Sequence, residues 1–113
     1  MPKRKSKKNV SEQELGNLFF AEGNFAKAIE QYSRALENID LSNTDSANME
    51  VAQLYANRSA CFLQMSSHKR NVIDKALEDA ELSIKAAPAW CKGFYRLGIG
   101  HPTLSRAAIE LGV

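Results

Sequence analysis

Apolar residues recur every three or four positions along most of this 113-residue chain, which is the period of an amphipathic helix. The pattern is clearest in FAKAIEQYSRALENI, residues 25–39. Strict alternation of apolar and polar residues, typical of a half-buried strand, is absent from the sequence. We therefore predict an all-α fold. In residues 25–39 the side chains expected to face inward are Phe25, Ala28, Ile29, Tyr32, Ala35, Leu36 and Ile39.

Capping residues and proline mark the ends of the predicted helices. Ser11 and Glu14 have the spacing of a capping box, and Asn24, directly after Gly23, can cap the next helix. Pro102 is expected to end or kink a helix, because proline lacks the N–H group that continues the hydrogen-bond ladder. After the first two helices, the others are expected between polar loops at about 47–65, 72–86, 89–99 and 103–111.

The predicted helices form pairs in which small and large residues recur at corresponding positions. In the first pair, L-G-x-x-F (15–19) precedes A-x-x-x-Y (28–32), and in the second, S-x-x-F (59–62) precedes A-x-x-x-A (76–80). This pattern resembles the tetratricopeptide repeat, with L-G-x-x-Y followed by A-x-x-x-F. The resemblance implies helix-turn-helix repeats stacked in a right-handed superhelical solenoid, with about two and a half repeats in this chain.

The repeat pattern divides the chain into segments. We expect a tetratricopeptide domain at 11–101, preceded by a disordered basic arm and followed by an incomplete final helix. The arm is expected at 1–10, the first repeat at about 11–41, the second at about 47–88, the start of the third at 89–101 and the final helix at 102–113.

The final segment, GIGHPTLSRAAIELGV, does not continue the third repeat into a full second helix. A solenoid normally covers its last face with a polar capping helix. We therefore expect few apolar contacts to hold the residues after Pro102. Three explanations stay open at this point: the chain is a fragment, it is a truncated isoform, or its open end is covered by a partner copy through self-association.

Three short motifs resemble a branch of the tetratricopeptide family, the co-chaperone domains. They are G-N at 16–17, N-R-S-A at 57–60 and K-G-x-x-R at 92–96. In that branch the first helix of each pair lines a concave groove. Five groove residues form a carboxylate clamp, which binds the acidic EEVD-type C-terminus of cytosolic heat-shock chaperones of the seventy- or ninety-kilodalton class.

Carried over by position, the resemblance implies a peptide-carboxylate site in this chain. Gln13 stands where the family usually has Lys, so it can donate a hydrogen bond but brings no charge. Phe20, one helical turn beyond Asn17, is expected to offer an apolar contact to the peptide. The implied clamp residues are Gln13, Asn17, Asn57, Lys92 and Arg96.

Each of these residues also has a purely structural interpretation. Asn17 and Asn57 can satisfy backbone groups at helix contacts, and Lys92 and Arg96 can lie on a solvated helix face. Arg58 can belong to the groove or pair with a carboxylate on the neighbouring helix. A second functional hypothesis also stays open: a tetratricopeptide scaffold that binds an internal segment of a non-chaperone partner.

The net charge of +2 is unevenly distributed. Without the cations of the first eight residues, 10 basic and 13 acidic residues are left. The arm is either a nuclear-localisation or nucleic-acid segment or a solvated tail, and we do not expect nucleic acid as the main partner. A cytoplasmic protein is expected, also nuclear if the arm is an import signal. The cations of the arm are Lys3, Arg4, Lys5, Lys7 and Lys8.

Motifs typical of enzymes are absent from the sequence. It contains no glycine-rich phosphate loop after a strand, no H-E-x-x-H and no C-x-x-C. Glu78, Asp79 and Glu81 are interpreted as acidic residues near the start of the fourth helix, where they favour the helix dipole. Cys61 is expected to fill space in the core. We predict a binding module without enzymatic activity, cofactor or metal, and no apolar run is long enough to span a membrane.

Overall fold

The computed structural model describes residues 11–39, 44–67, 69–90 and 102–111. No strand occurs in this part of the chain, in agreement with the all-α prediction. The helices whose bounds are described are α1 (Glu12–Ala21), α2 (Phe25–Glu37), α3 (Thr44–Met65), α4 (Arg70–Ala86) and α5 (Pro102–Leu111).

The observed helix bounds differ from the predicted ones by a few residues. α3 and α4 each begin slightly earlier than expected, at Thr44 and Arg70. Pro102 is the first residue of α5, where proline is tolerated because the N–H group has no partner within the helix. Residues 88–90 are helical, and the rest of the predicted fifth helix lies outside the described residues.

The predicted capping residues begin the first two helices. The Ser11 hydroxyl accepts a hydrogen bond from the Glu14 backbone N–H at 3.1 Å. Asn24 accepts one from the Lys27 N–H at 3.3 Å. Between α1 and α2 the backbone turns at Gly23, whose φ of +79° favours glycine. These contacts confirm the predicted starts of α1 and α2.

α1 and α2 form an antiparallel pair with a very close approach at its centre. Asn38, at the end of α2, donates to Glu12, at the start of α1, at 3.2 Å. In the middle, the buried Gly16 lies against the ring of Tyr32, and a Cβ atom at Gly16 would stand only 2.6 Å from Tyr32 Cε1. The absence of a side chain at Gly16 therefore lets the Tyr32 ring fit between the two helices.

α3 and α4 form a second antiparallel pair, joined by buried hydroxyl groups. Ser59 donates to the Ala76 carbonyl at 2.6 Å, and Ser83 donates to the Ala52 carbonyl at 2.7 Å. Both serine side chains are fully buried. Since Ser59 on α3 meets Ala76 near the start of α4 and Ala52 meets Ser83 near its end, the two helices run in opposite directions.

Two apolar clusters form the core and cross the boundaries between helix pairs. The first joins α2 to α3, and the second joins α3 and α4 to α5. The predicted burial of Ala28, Tyr32, Ala76 and Ala80 is confirmed, whereas Ala35 is only partly buried. The buried members of the first cluster are Ala28, Tyr32, Leu54 and Cys61, and those of the second are Ala56, Ala80, Ile84, Ala107 and Ala108.

α5 packs against α4 and α3, so the expectation that few apolar contacts hold the final segment is wrong. Ala107 and Ala108 are buried in the second cluster, because their small side chains allow close approach to Ala80. Thr103 is also buried and shares a hydrogen bond of 2.8 Å with the Ser59 hydroxyl. The opposite face of α5 is open, with Ile109 79% exposed.

The acidic residues of α4 do not lie at its N-terminus. α4 begins at Arg70, so Glu78 lies at its centre and Asp79 and Glu81 follow in its second half, where the helix dipole gives them no advantage. The structure gives Asp79 a different role, since it is buried and paired with Arg58. With antiparallel helix pairs stacked in sequence order, the described part of the chain has the architecture of a tetratricopeptide helical solenoid.

Candidate functional site

The first helices of the two pairs, α1 and α3, lie side by side and in register. Gln13 Nε2 donates to Gln53 Oε1 at 3.3 Å. One helical turn further along each helix, Asn17 and Asn57 line a common pocket. At these two levels a residue of α1 stands near the residue 40 positions later in α3, so the two helices run in the same direction. Two levels of amide side chains therefore line one wall.

The pocket between α1 and α3 is small and open, with a volume of about 160 Å³. It combines two amide side chains with aromatic and small apolar ones. Three residues of the predicted site are thus brought together, while Lys92 and Arg96 lie outside the described residues. The residues that line the pocket are Asn17, Phe20, Tyr32, Asn57 and Ala60.

Asn17 is held by a short hydrogen bond from beneath the pocket. The Tyr32 hydroxyl donates to Asn17 Oδ1 at 2.6 Å. Burial raises the pKa of Tyr32, and the nearby Cys61 raises it further, so the hydroxyl keeps its proton and acts as a donor. Asn17 is exposed, and its hydrogen bond across the α1–α2 contact is made with a side chain, not with a backbone group.

Tyr32, which lines the pocket, and Gln53, which pairs with Gln13, are two residues that the sequence analysis did not assign to the site. The repeat pattern favours Phe at the position of Tyr32, and a buried tyrosine hydroxyl normally needs a hydrogen-bond partner, which was an available signal. Gln53 stands four residues before Asn57, as Gln13 stands four residues before Asn17. This repeated spacing predicts that the two glutamines lie at the same level of neighbouring parallel helices.

Arg58 does not line this pocket but forms an ion pair with Asp79 of the neighbouring helix, which was the second of its two interpretations. Its guanidinium donates to both oxygens of Asp79, each at 2.8 Å, and to the Ser33 hydroxyl at 3.0 Å. The hydrogen bonds to Asp79 raise the pKa of Arg58. The Arg58 Cζ atom lies 5.4 Å from the centre of the Tyr55 ring. Arg58 therefore connects α3 to both α4 and α2.

Neither the buried thiol nor the acidic side chains of the described residues form a metal site. Cys61 is buried, as predicted, and burial raises the pKa of its thiol to about 12, so the thiol stays protonated at neutral pH. Among the described residues, no cluster of three or more His, Cys, Asp or Glu side chains could hold a metal ion. Within the same residues, no helix has the length and apolar character needed to cross a membrane.

Comparisons with known proteins find relatives of this chain among much longer proteins. It is 34% identical over 89 residues to heat shock protein STI1 of Saccharomyces cerevisiae, and 35% identical over 87 residues to Hsp70-Hsp90 organizing protein 3 of Arabidopsis thaliana. These matches cover 79% and 77% of this chain and 13% of each relative. Tetratricopeptide repeat protein 12 of Homo sapiens is 30% identical over 98 residues, which are 87% of this chain and 12% of that protein.

The chain thus spans about an eighth of the length of these curated relatives. No protein-family model matches it, and no solved structure does. The similarity to a protein named for the tetratricopeptide repeat agrees with the stacked helix pairs and with the parallel register of α1 and α3. Together they support a tetratricopeptide repeat domain in this chain.

Proposed function

We propose that the chain is a peptide-binding module whose groove takes an acidic peptide by its free C-terminal carboxylate. The observation that carries this proposal is the pocket shared by Asn17, Phe20 and Asn57. Amide N–H groups on two neighbouring helices suit an ionised carboxylate, which can only accept hydrogen bonds. Phe20 adds an apolar surface for a side chain further upstream in the peptide.

The charge that attracts the carboxylate comes from the K-G-x-x-R motif in this proposal. Lys92 and Arg96 supply charge-assisted hydrogen bonds, which are stronger than neutral ones. Asn17 and Asn57 fix the geometry, and Gln13 contributes a weaker neutral contact together with Gln53. The α1 and α3 wall thus positions the peptide end, and the two cations hold it.

The proposed ligand is the EEVD-type tail of a cytosolic heat-shock chaperone. This class of ligand is supported by the co-chaperone motifs of the sequence and by the names of two relatives, a heat shock protein and an Hsp70-Hsp90 organizing protein. The chain then acts as a non-enzymatic, co-chaperone-like adaptor in the cytoplasm. The basic arm adds a nuclear location if it serves as an import signal.

Titration calorimetry with a peptide ending in EEVD and with its C-terminal amide tests the proposal. The free-acid peptide should bind more tightly, and Lys92→Ala or Arg96→Ala should each weaken its binding about tenfold or more. Gln13→Lys should strengthen it by adding a cation. Arg34→Ala is a matched control, because it removes one charge from the exposed Glu30–Arg34 pair on α2, away from the pocket.

A second candidate function is the binding of an internal segment of a non-chaperone partner. It is favoured by the pairing of Gln13 with Gln53, because both side chains at that level of the wall are uncharged. An internal-segment binder would take the acid and the amide equally well. Equal affinities, together with no loss in Arg96→Ala, would overturn the carboxylate proposal and leave this alternative.

A further inference from the structure

The Tyr32 side chain connects the core of the molecule to the wall of the candidate groove. Tyr32 is only 1% exposed and belongs to the apolar cluster with Ala28, Leu54 and Cys61. The ring nevertheless reaches the floor of the pocket, and its hydroxyl donates to the exposed Asn17. A buried and rigid group thus holds a surface amide.

The geometry of this contact identifies the donor and the acceptor. An oxygen–oxygen distance of 2.6 Å is within the range of an O–H···O hydrogen bond and is shorter than most N–H···O bonds. If the Asn17 amide were reversed, the Tyr32 proton would need another acceptor among apolar neighbours, which is costly. The contact therefore engages the amide oxygen and not Nδ2, the donor atom.

Gly16 makes this arrangement sterically feasible. The Tyr32 ring occupies the space that a side chain at Gly16 would fill, since a Cβ atom there would lie 2.6 Å from Cε1 and 2.8 Å from Cδ1. Only this close approach brings the hydroxyl within reach of the next residue, Asn17. The G-N dipeptide on α1 and Tyr32 on α2 thus act as one unit.

We infer that Tyr32 is a positioning residue that orients the Asn17 amide with its N–H donors toward the groove and thereby sets the affinity for a carboxylate. This inference rests on the proposed function and adds to it a residue that need not touch the peptide. The hydrogen bond decides which atom Asn17 presents: with the oxygen turned toward the groove, Asn17 would repel a carboxylate.

Tyr32→Phe tests the inference, because it keeps the ring that fills the space beside Gly16 and deletes only the hydroxyl. Calorimetry with the EEVD peptide should show binding weakened about threefold to tenfold, as expected for one neutral hydrogen bond. In an Asn17→Ala background the same substitution should have no further effect. Equal losses in both backgrounds would show that Tyr32 does not act through Asn17 and would overturn the inference.

Tyr55→Phe is the matched control. It also removes one tyrosine hydroxyl, but from a residue beside Arg58 that does not line the pocket, so peptide affinity should be unchanged. A loss equal to that of Tyr32→Phe would point to a general effect of hydroxyl deletion and would count against the inference.

The side-chain amide resonances of Asn17 give a readout that needs no peptide. In the unliganded protein, Tyr32→Phe should move the Asn17 Nδ2 signals toward random-coil values and leave those of Asn57 in place. If the wild-type protein fails to prefer the free-acid peptide, the proposed function fails, while this shift still decides whether Tyr32 orients the amide. Unchanged Asn17 signals would overturn the orientation itself.

Discussion

The two helix pairs have the same antiparallel arrangement but are held together by different chemistry. In the α1–α2 pair, the central contact is apolar, with Gly16 against the Tyr32 ring. In the α3–α4 pair, Ser59 and Ser83 bond to backbone carbonyls of the opposite helix. Both helix crossings need a small residue. In the first pair glycine leaves space for the tyrosine ring, and in the second pair serine donates a buried hydrogen bond.

The polar contacts of the two pairs lie in different places: those of the second pair lie between its helices, and one of the first pair reaches the candidate site. The serine hydrogen bonds of the second pair are buried between its helices, and the two hydrogen bonds from Arg58 to Asp79 in the same pair are partly buried. In the first pair, the Tyr32 hydroxyl donates to the exposed Asn17, which lines the pocket. Buried polar groups therefore fix the fold in the second pair, while in the first pair one of them reaches the candidate site.

The largest effect is expected from breaking the ion pair of the second helix pair. Asp79→Ala should lower the free energy of unfolding by about 3–5 kcal/mol, because it leaves the largely buried Arg58 without its carboxylate. The exposed neighbour gives a matched control, since Glu78→Ala should change stability by less than about 0.5 kcal/mol. Urea unfolding measures both variants, and equal small effects would show that the pair adds little.

A smaller loss is expected at the close contact of the first pair. Gly16→Ala should destabilise the protein by about 1–3 kcal/mol, because the new methyl group overlaps the Tyr32 ring. At an exposed helix position, the same substitution would instead stabilise by about 0.5–1 kcal/mol. The sign of the change in thermal unfolding therefore tests the packing, and the loss should shrink in a Tyr32→Leu background.

The cluster that joins the two pairs should make stability depend on pH. Burial raises the pKa of Cys61 from 9.0 to about 12, so the unfolded chain releases this proton at a lower pH than the folded one. The contribution of this thiol to the free energy of unfolding is fully present below pH 9 and is lost as pH rises. At pH 10 the loss is about 1.4 kcal/mol. Cys61→Ala should remove that part of the slope in unfolding curves at pH 8–10, and an unchanged slope would contradict it.

The smallest effect is expected on the open face of α5. Ile109→Ser should change the free energy of unfolding by less than about 0.5 kcal/mol, because the side chain is 79% exposed. Ala107→Leu, on the opposite face of the same helix, should cost about 1–3 kcal/mol by overpacking the buried cluster. Similar effects at both positions would show that α5 does not dock by its small residues.

Local sequence signals were sufficient to predict much of the fold. The 3.6-residue period, the caps at Ser11 and Asn24 and the small residues of the repeat pattern act over a few positions, so they can be read from the chain directly. They predicted the helix pairs and the burial of Ala28, Tyr32 and Ala80. The same pattern also placed Asn17 and Asn57 on helices that prove to be neighbours.

Only the tertiary structure decided the contacts between residues that are distant in the sequence and have several feasible partners. The sequence did not distinguish a groove role for Arg58 from its ion pair with Asp79, because both are compatible with its helix position. It also did not predict that α5 docks by Ala107 and Ala108, or that the Tyr32 hydroxyl reaches Asn17. Packing chose among these options, because a buried polar group must find a partner and an apolar face must find cover, and which ones lie within reach depends on the whole fold.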